Sequence, residues 1–121
     1  MSATGVILFA HGSRDPLWRR PMEAVAARMA ARSPETPVRC AYLELTEPDL
    51  PTTAAELAAL GLNTVRIVPM FLGAGRHVRE DLPTLVEGLR RLHPQVTWDL
   101  RPPVGENERL LDLLADLAGP P

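Results

Sequence analysis

Lysine is missing from this sequence, and all thirteen of its basic residues are arginine. This uniformity indicates a compositional bias toward arginine, so a single arginine is weak evidence for a binding role. The formal net charge is -2 and the isoelectric point is about 5.9. A charge of this size creates no long-range attraction for nucleic acid or for an anionic membrane surface. We therefore expect neither nucleic acid nor a membrane as a partner.

Cysteine is almost as scarce, because the sequence contains Cys40 and no other. One cysteine excludes an internal disulfide and any zinc or iron–sulfur site built from several cysteines. A reducing cytoplasm is the compartment that this composition favours. Cys40 itself is predicted to be a core residue and not a nucleophile, since no histidine neighbours it in the sequence.

Long hydrophobic runs are missing as well. Residues 1–4 contain no basic residue, and only six apolar or glycine residues follow before His11. This stretch is too short for a signal peptide or a membrane span, so we expect a soluble protein. The 121 residues are 45% hydrophobic, which is enough for one core. A single domain over residues 1–121 is therefore predicted.

What the sequence does contain is an alternation of short apolar runs with amphipathic segments. The predicted strands are 6–10, 38–45, 65–71 and 96–100, and the predicted helices are about 21–33, 50–60, 78–92 and 107–117. This alternation predicts an α/β fold: a four-stranded parallel sheet in the order 2-1-3-4 with helices on both faces. The apolar third strand is expected to be buried on both faces.

The most informative stretch is 64–83, TVRIVPMFLGAGRHVREDLP. It joins the third strand to the third helix through a turn that contains Gly73 and Gly75, and it places His77 where the helix begins. These glycines are expected to let the backbone turn tightly and approach a ligand. The turn does not match the dinucleotide-binding fingerprint, because Val78 stands where a third glycine is required.

Open α/β sheets bind ligands beyond the carboxyl ends of their strands, near the switch point between strands 1 and 3. His11 follows strand 1, Glu44 lies at the end of strand 2, and His77 follows strand 3. These three side chains are therefore predicted to reach one crevice. Two imidazoles and one carboxylate suit a divalent metal ion such as Co²⁺, Fe²⁺ or Ni²⁺, with coordination positions left open.

Each polar or aromatic residue of interest also has a plainer interpretation. A single loop histidine is usually solvated or bonded to the backbone, and Glu44 can be an exposed residue at a strand end or a charge near a helix N-terminus. His93 is interpreted as a C-terminal helix cap, and Asp15 as a helix cap. Trp18 and Met22 either line a ligand site or belong to the core, and both interpretations stay open.

Three motifs occur in order along the chain: HGSRDP at 11–16, AYLELTEPDLP at 41–51 and VPMFLGAGRHVREDLP at 68–83. Together they resemble the sirohydrochlorin chelatases of the CbiX type, which are class II chelatases, and the resemblance spans nearly the whole chain. It implies insertion of Co²⁺ or Fe²⁺, with Ni²⁺ left open, into a tetrapyrrole that bears carboxylates. The product would serve cobalamin or sirohaem synthesis, and no organic cofactor is implied.

The resemblance also implies roles for residues. The family's metal-handling positions match His11, His77 and Glu44, which would be both metal ligands and catalytic residues. The implied substrate-binding residues are Arg14, Arg76, Arg79, Gly73 and Gly75. Many class II chelatases carry two such lobes, whereas this chain supplies a single chelatase-like lobe. The short forms of the family are homodimers, so a homodimer is expected.

Two rival functions stay open at this point. One is a metal-binding carrier or sensor that has the same fold and no chelatase activity. The other is a phosphate-transfer enzyme with His11 as the nucleophile, which the strand-His-Gly pattern and the glycine turn would suit. Against the second, Ala10 stands where such phosphatases have an arginine.

Overall fold

The structure is a computed structural model that describes residues 3–121. Expectations that concern Met1 and Ser2 lie outside the described residues. Strands and helices alternate as predicted: β1 (Thr4–Ala10), α1 (Arg20–Arg32), β2 (Val38–Tyr42), α2 (Leu50–Ala59), β3 (Thr64–Pro69), α3 (Arg76–Leu92), β4 (Thr97–Leu100) and α4 (Glu108–Ala118). A 3₁₀ turn at Val104–Glu106 precedes α4. Within residues 3–121, none of the helices has the length and apolar character to cross a bilayer.

The four strands form a parallel sheet in the order β2-β1-β3-β4, which confirms the predicted α/β topology. The central strand β1 pairs with β2 on one side and with β3 on the other. The chain therefore passes from β1 to β2 on one side of the sheet. It then crosses back over β1 to form β3 on the other side. This change of direction opens a crevice at the carboxyl ends of β1 and β3, where ligands of such sheets bind.

The main core lies between the sheet and the helices α2 and α3. Ile7 of β1 and Ile67 of β3 face it directly opposite one another and are fully buried. Leu57 of α2 and Val86 of α3 cover them and are equally inaccessible to solvent. Burial of large apolar side chains supplies most of the favourable free energy of folding, so this layer holds the crevice in place.

The opposite face of the sheet is covered less completely. All residues of α1 and α4 keep some exposure to solvent. Arg66 of β3 is exposed on this face, and its Nε lies 3.3 Å from Asp99 Oδ2 of β4. The expectation that the third strand is buried on both faces is therefore wrong, because Arg66 is exposed on the face that α1 and α4 cover incompletely.

Two element boundaries differ from the predictions in ways that matter for the site. β2 ends at Tyr42 and not at Leu45, which has a positive φ of 63° outside the extended region. α3 begins at Arg76, two residues earlier than predicted, so His77 lies in its first turn. Pro83 falls inside α3, where its missing N–H removes one hydrogen bond of the helix.

Candidate metal site at the carboxyl edge of the sheet

His11 and Glu44 lie side by side just beyond the carboxyl ends of β1 and β2. The distance between His11 Nε2 and Glu44 Oε1 is 2.9 Å. In the tautomer that carries a proton on Nε2, the imidazole donates this hydrogen bond and the carboxylate accepts it. The two side chains are 49% and 55% exposed. A metal ion arriving from solvent can therefore reach both groups.

The backbone explains how residues so distant in the sequence come together. The parallel pairing of β1 with β2 continues past the ends of both strands. The Leu43 amide donates to the Ala10 carbonyl at 2.9 Å, and the Glu44 amide donates to the His11 carbonyl at 3.0 Å. Positions 11 and 44 are thus hydrogen-bonded neighbours, and their side chains leave adjacent points of the same sheet edge.

Gly12 makes this close approach possible. Its φ is +104°, a conformation that residues with a Cβ rarely adopt. A Cβ at this position would lie 1.7 Å from the carbonyl oxygen of Glu44. Our sequence analysis did not single out Gly12. A glycine directly after a strand and a histidine was the available signal, since glycine in that place often marks the close approach of another backbone.

A second connection joins the loops after β1 and β2. Thr46 Oγ1 accepts a hydrogen bond from the Ser13 amide at 3.0 Å and donates one to the Ser13 carbonyl at 2.7 Å. Thr46 and Ser13 are both half-buried. The sequence analysis missed this threonine as well, because its partner lies 33 residues away.

His77 is exposed in the first turn of α3, the helix that follows the carboxyl end of β3. It therefore belongs to the same edge of the sheet as the His11–Glu44 pair. Within residues 3–121, however, three side chains of the His, Cys, Asp or Glu type do not gather into a metal-binding group. The structure thus brings two of the three predicted ligands into contact, and the role of His77 stays a prediction.

The glycine turn before α3 has an ordinary backbone. Gly75 is the N-cap of α3 with φ -64°, and in the described chain the glycines with positive φ are Gly12 and Gly61. Neither glycine therefore has the positive φ that favours glycine, and the approach of this turn to a ligand stays a prediction. A Cβ on either would meet no atom within 4 Å, so both leave open surface beside the amino end of α3.

The three candidate substrate-binding arginines lie around the same edge. Arg14 is exposed in the loop after β1. Arg76 is also exposed, and its Nε lies 3.0 Å from Glu80 Oε1. Arg79 borders a cavity of about 160 Å³ between α3 and the ends of β3 and β4. The other side chains that line this cavity include Phe71, Leu82, Leu100 and Arg101.

Two polar residues have structural roles close to those predicted. His93 is the C-cap of α3, where its amide donates to the Leu89 carbonyl at 2.8 Å, which confirms its capping position. Asp15 Oδ1 accepts from the Leu17 amide at 2.9 Å. It therefore caps the turn ahead of α1 and not the helix itself, whose N-cap is Arg19.

Cys40 and Tyr42 both lie on β2. Burial raises the pKa of the half-buried Cys40 thiol, which supports its assignment as a packing residue because the reactive thiolate is disfavoured. Burial also raises the pKa of Tyr42 to about 12. Trp18 packs on Tyr42 with ring centroids 6.1 Å apart. Trp18 thus contacts β2 near the loop that carries Glu44.

Comparison with protein families settles the relationship suggested by the motifs. The family model described as CbiX matches residues 5–119. This chain belongs to the CbiX family. The resemblance drawn from the three motifs is therefore confirmed.

Relatives of this CbiX chain include proteins named sirohydrochlorin cobaltochelatase. The one from Methanococcoides burtonii is 28% identical over 126 residues, covering 94% of this chain and 93% of the relative. The one from Sulfurisphaera tokodaii is 27% identical over 112 residues, covering 93% and 88% respectively. Each alignment extends over most of both chains, so the CbiX domain accounts for most of each relative.

Solved structures show the same fold. The CbiX protein of Marinobacter aquaeolei VT8 is 37% identical, with a TM-score of 0.82, covering 94% of this chain and 92% of that one. The sirohydrochlorin chelatase SirB of Bacillus subtilis subspecies spizizenii, in complex with cobalt, is 22% identical, with a TM-score of 0.78. The match covers 94% of this CbiX chain and 49% of SirB. This chain therefore spans about half the length of SirB.

Proposed function

We propose that this protein is a sirohydrochlorin chelatase, a lyase that inserts a divalent metal ion into the tetrapyrrole. The observation that carries the proposal is the contact between His11 and Glu44 at the ligand-binding edge of a CbiX fold. Curated relatives that align over most of their length are named for this activity. On this basis residues 1–121 form one chelatase domain, which the family match over residues 5–119 supports.

The chemistry requires three events: loss of water from the metal ion, its transfer to four nitrogens of the macrocycle, and release of two protons from pyrrolic N–H groups. His11 and Glu44 would take the metal ion first, since imidazole and carboxylate are ligands for first-row divalent ions. Coordination through Nε2 would require the tautomer with its proton on Nδ1, so the Nε2 proton would pass to water while Nδ1 takes one up. Glu44 would then accept one pyrrolic proton as the metal ion enters the ring, and the second would pass to His77 or to water.

The exposure of the pair suits a delivery site better than a storage site. A closed structural site surrounds its ion with protein ligands, whereas a site that must pass the ion on keeps open positions. His11 and Glu44 supply two ligands at half-exposed side chains. We place His77 as a third ligand or a proton acceptor, presented from α3 when the macrocycle or a second subunit closes the crevice.

Substrate binding is assigned to the rim around this pair. Sirohydrochlorin carries several carboxylates, and arginine forms bidentate hydrogen bonds with carboxylates. We propose Arg14, Arg76 and Arg79 as their partners, with the open surface at Gly73 and Gly75 admitting the macrocycle edge. The apolar cavity beside Arg79 would accommodate ring substituents.

Co²⁺ is the metal ion that the names of the relatives favour. Fe²⁺ and Ni²⁺ stay predictions, as does the choice between cobalamin and sirohaem as the end product. The cytoplasmic location expected from the single cysteine also stays a prediction, which fractionation of cells that produce the protein would test.

A homodimer is part of the proposal. The chain covers 49% of SirB, so two copies would match the length of that chelatase. Apolar side chains available for an interface are exposed on α4, where Leu113 and Leu117 are 53% and 73% accessible. Sedimentation equilibrium at micromolar concentration should give twice the monomer mass, and a monomer at all concentrations would refute this part.

The experiment is an anaerobic insertion assay with sirohydrochlorin and Co²⁺, Fe²⁺ or Ni²⁺, followed by the absorbance change of the macrocycle. His11→Ala and Glu44→Gln should each lower the rate by about 10²-fold or more, the range for loss of a proton-transfer group. His77→Ala tests the third assignment in the same way. His93→Ala is the matched control, because its imidazole packs on Trp98 away from the crevice.

Three outcomes are decisive. A full insertion rate in folded His11→Ala would refute the metal site. Tight Co²⁺ binding by the wild-type protein with an unchanged macrocycle spectrum would favour the carrier or sensor. A full rate in His77→Ala alone would leave the pair in place and remove His77 from the mechanism.

A further inference from the structure

The loop that carries Glu44 leaves β2 at Tyr42 and returns to it at its far end, where the Tyr42 amide donates to the Pro48 carbonyl at 3.0 Å. Hydrogen bonds of the β1–β2 ladder end at the Glu44 amide, which donates to His11. The next residue, Leu45, is 53% exposed and has φ +63°, an uncommon conformation for a residue with a branched side chain. Between Glu44 and Pro48, therefore, the ladder with β1 does not hold the backbone.

Thr46 attaches this segment to the loop that follows β1. Its amide donates to the Glu44 carbonyl at 2.7 Å, which closes a three-residue turn around Leu45. Its hydroxyl forms both a donated and an accepted hydrogen bond with the backbone of Ser13. Glu44 is thus enclosed between two connections to the loop after β1, one at His11 and one at Ser13.

We propose that the Thr46 hydroxyl is a positioning group for metal binding, which keeps the Glu44 carboxylate within reach of His11. The inference rests on the proposed function, because it assumes that the His11–Glu44 pair binds the metal ion. Thr46 does not touch the ion. It acts through the backbone of Ser13 and Glu44, and it limits the Glu44 side chain to positions beside the imidazole.

Hydrogen-bond chemistry makes the proposal specific to a hydroxyl. Valine has nearly the shape of threonine but can neither donate to the Ser13 carbonyl nor accept from the Ser13 amide. Serine keeps both bonds and loses only a methyl group. Thr46→Val should therefore release the Glu44 loop, whereas Thr46→Ser should preserve it.

The test uses the full-length protein and Co²⁺ alone, with calorimetry for the affinity and visible absorption for the ligand environment. Thr46→Val should weaken Co²⁺ binding by about 10-fold to 100-fold, the usual effect of removing a group that orients a metal ligand. It should also change the d–d absorption bands of the bound ion. Thr46→Ser should show the affinity and the spectrum of the wild type.

Thr97→Val is the matched control for the loss of a threonine hydroxyl. Thr97 is exposed at the amino end of β4, the opposite edge of the sheet from the site. Its variant should bind Co²⁺ as the wild type does. If Thr46→Val lowered the melting temperature but left Co²⁺ affinity and spectrum unchanged, Thr46 would be merely structural and the proposal would be overturned.

Two further outcomes keep the test decisive. If Thr46→Val does not fold, hydrogen exchange of the wild-type protein tests the hydrogen bond between the Ser13 amide and Thr46 Oγ1. A Ser13 amide that exchanges as fast as an open loop amide would refute the proposal. A slow Ser13 amide together with wild-type binding by Thr46→Ser supports it. If the inference alone fails, His11→Ala still loses Co²⁺ binding and the wild-type protein still inserts Co²⁺. If the metal site fails, His11→Ala binds Co²⁺ normally, and if only the chelatase activity fails, the macrocycle spectrum stays unchanged in the insertion assay.

Discussion

Gly12 lies directly against the backbone of Glu44, so that a Cβ built on the glycine would come within 1.7 Å of the Glu44 carbonyl oxygen. Backbone atoms cannot move aside as the end of a flexible side chain can. The two loops that carry the proposed metal ligands therefore meet only because position 12 has no side chain.

Gly12→Ala should destabilise the protein by about 3 kcal/mol, because alanine must adopt a left-handed φ and displace the Glu44 backbone. It should also weaken Co²⁺ binding, since Glu44 moves away from His11. Urea unfolding and calorimetry measure the two effects. Gly88→Ala is the control: a Cβ there meets nothing within 4 Å, and in the interior of α3 alanine should stabilise by up to about 1 kcal/mol. Equal stability of both variants would contradict the prediction.

Gly105 packs against Phe71 and Leu72, which lie in the segment between β3 and α3. Its amide donates to the Phe71 carbonyl at 2.9 Å, and a Cβ there would lie 1.7 Å from the Leu72 carbonyl oxygen. Gly105→Ala should cost about 1–3 kcal/mol of stability by overpacking. It should also raise KM for the tetrapyrrole, because the displaced segment leads to Arg79. Gly73→Ala, which has open space around it, should leave the free energy of unfolding unchanged. An unaltered KM in Gly105→Ala would show that this segment does not affect substrate binding.

Asp49 is the N-cap of α2, and its Oδ1 accepts from the Thr52 amide at 2.9 Å. Hydrogen bonds from Thr52, chiefly one involving its side chain, lower the pKa of Asp49. A lowered folded-state pKa stabilises the protein above the ordinary carboxyl pKa, and this contribution is lost as pH falls through the folded value.

Asp49→Ala should therefore cost about 1 kcal/mol at neutral pH, the usual value for loss of a cap. The difference from the wild type should shrink below about pH 4, where the Asp49 carboxylate begins to protonate. Urea unfolding at a series of pH values measures it. A difference that stayed constant down to pH 2 would show that the charge on Asp49 contributes nothing.

Tyr42 is the only tyrosine in the sequence, so its ionisation can be followed directly by absorbance at 295 nm. Burial raises its pKa to about 12. The unfolded chain should titrate near 10. Since the folded state keeps this proton more tightly, its contribution to stability is complete below about pH 10 and is lost as pH rises toward the folded pKa.

The expected result is a midpoint near 12 in buffer and about 10 in concentrated urea. Trp18→Ala removes a ring that packs on Tyr42 and should lower the folded midpoint by exposing the phenol. A midpoint of 10 in the folded wild-type protein would show that the phenol is solvated.

Much of the fold was predictable because its signals are local. Alternating apolar runs and helix-period segments predicted the order of elements, and the parallel order 2-1-3-4 follows from the handedness of the crossovers. The rule that ligands bind beyond the carboxyl ends of strands then selected His11 and Glu44, which the structure joins at 2.9 Å. It also placed His77 at the same edge, without a contact that would test its role.

The errors share a physical cause. Local patterns do not show which backbone segment will lie against a given residue. The sequence therefore drew attention to the turn glycines Gly73 and Gly75 and not to Gly12. In the same way, the apolar third strand was taken as fully buried, although helix coverage left Arg66 in solvent.

The sequence by itself determined the fold class, the family and the edge of the sheet where ligands would be found, since these depend on periodicity and on motifs of adjacent residues. Only the tertiary structure decided how the site is held together. The contact of Gly12 with Glu44 and the hydrogen bonds between Thr46 and Ser13 join segments more than thirty residues apart. Such contacts are set by strand pairing and loop packing, which no local pattern encodes.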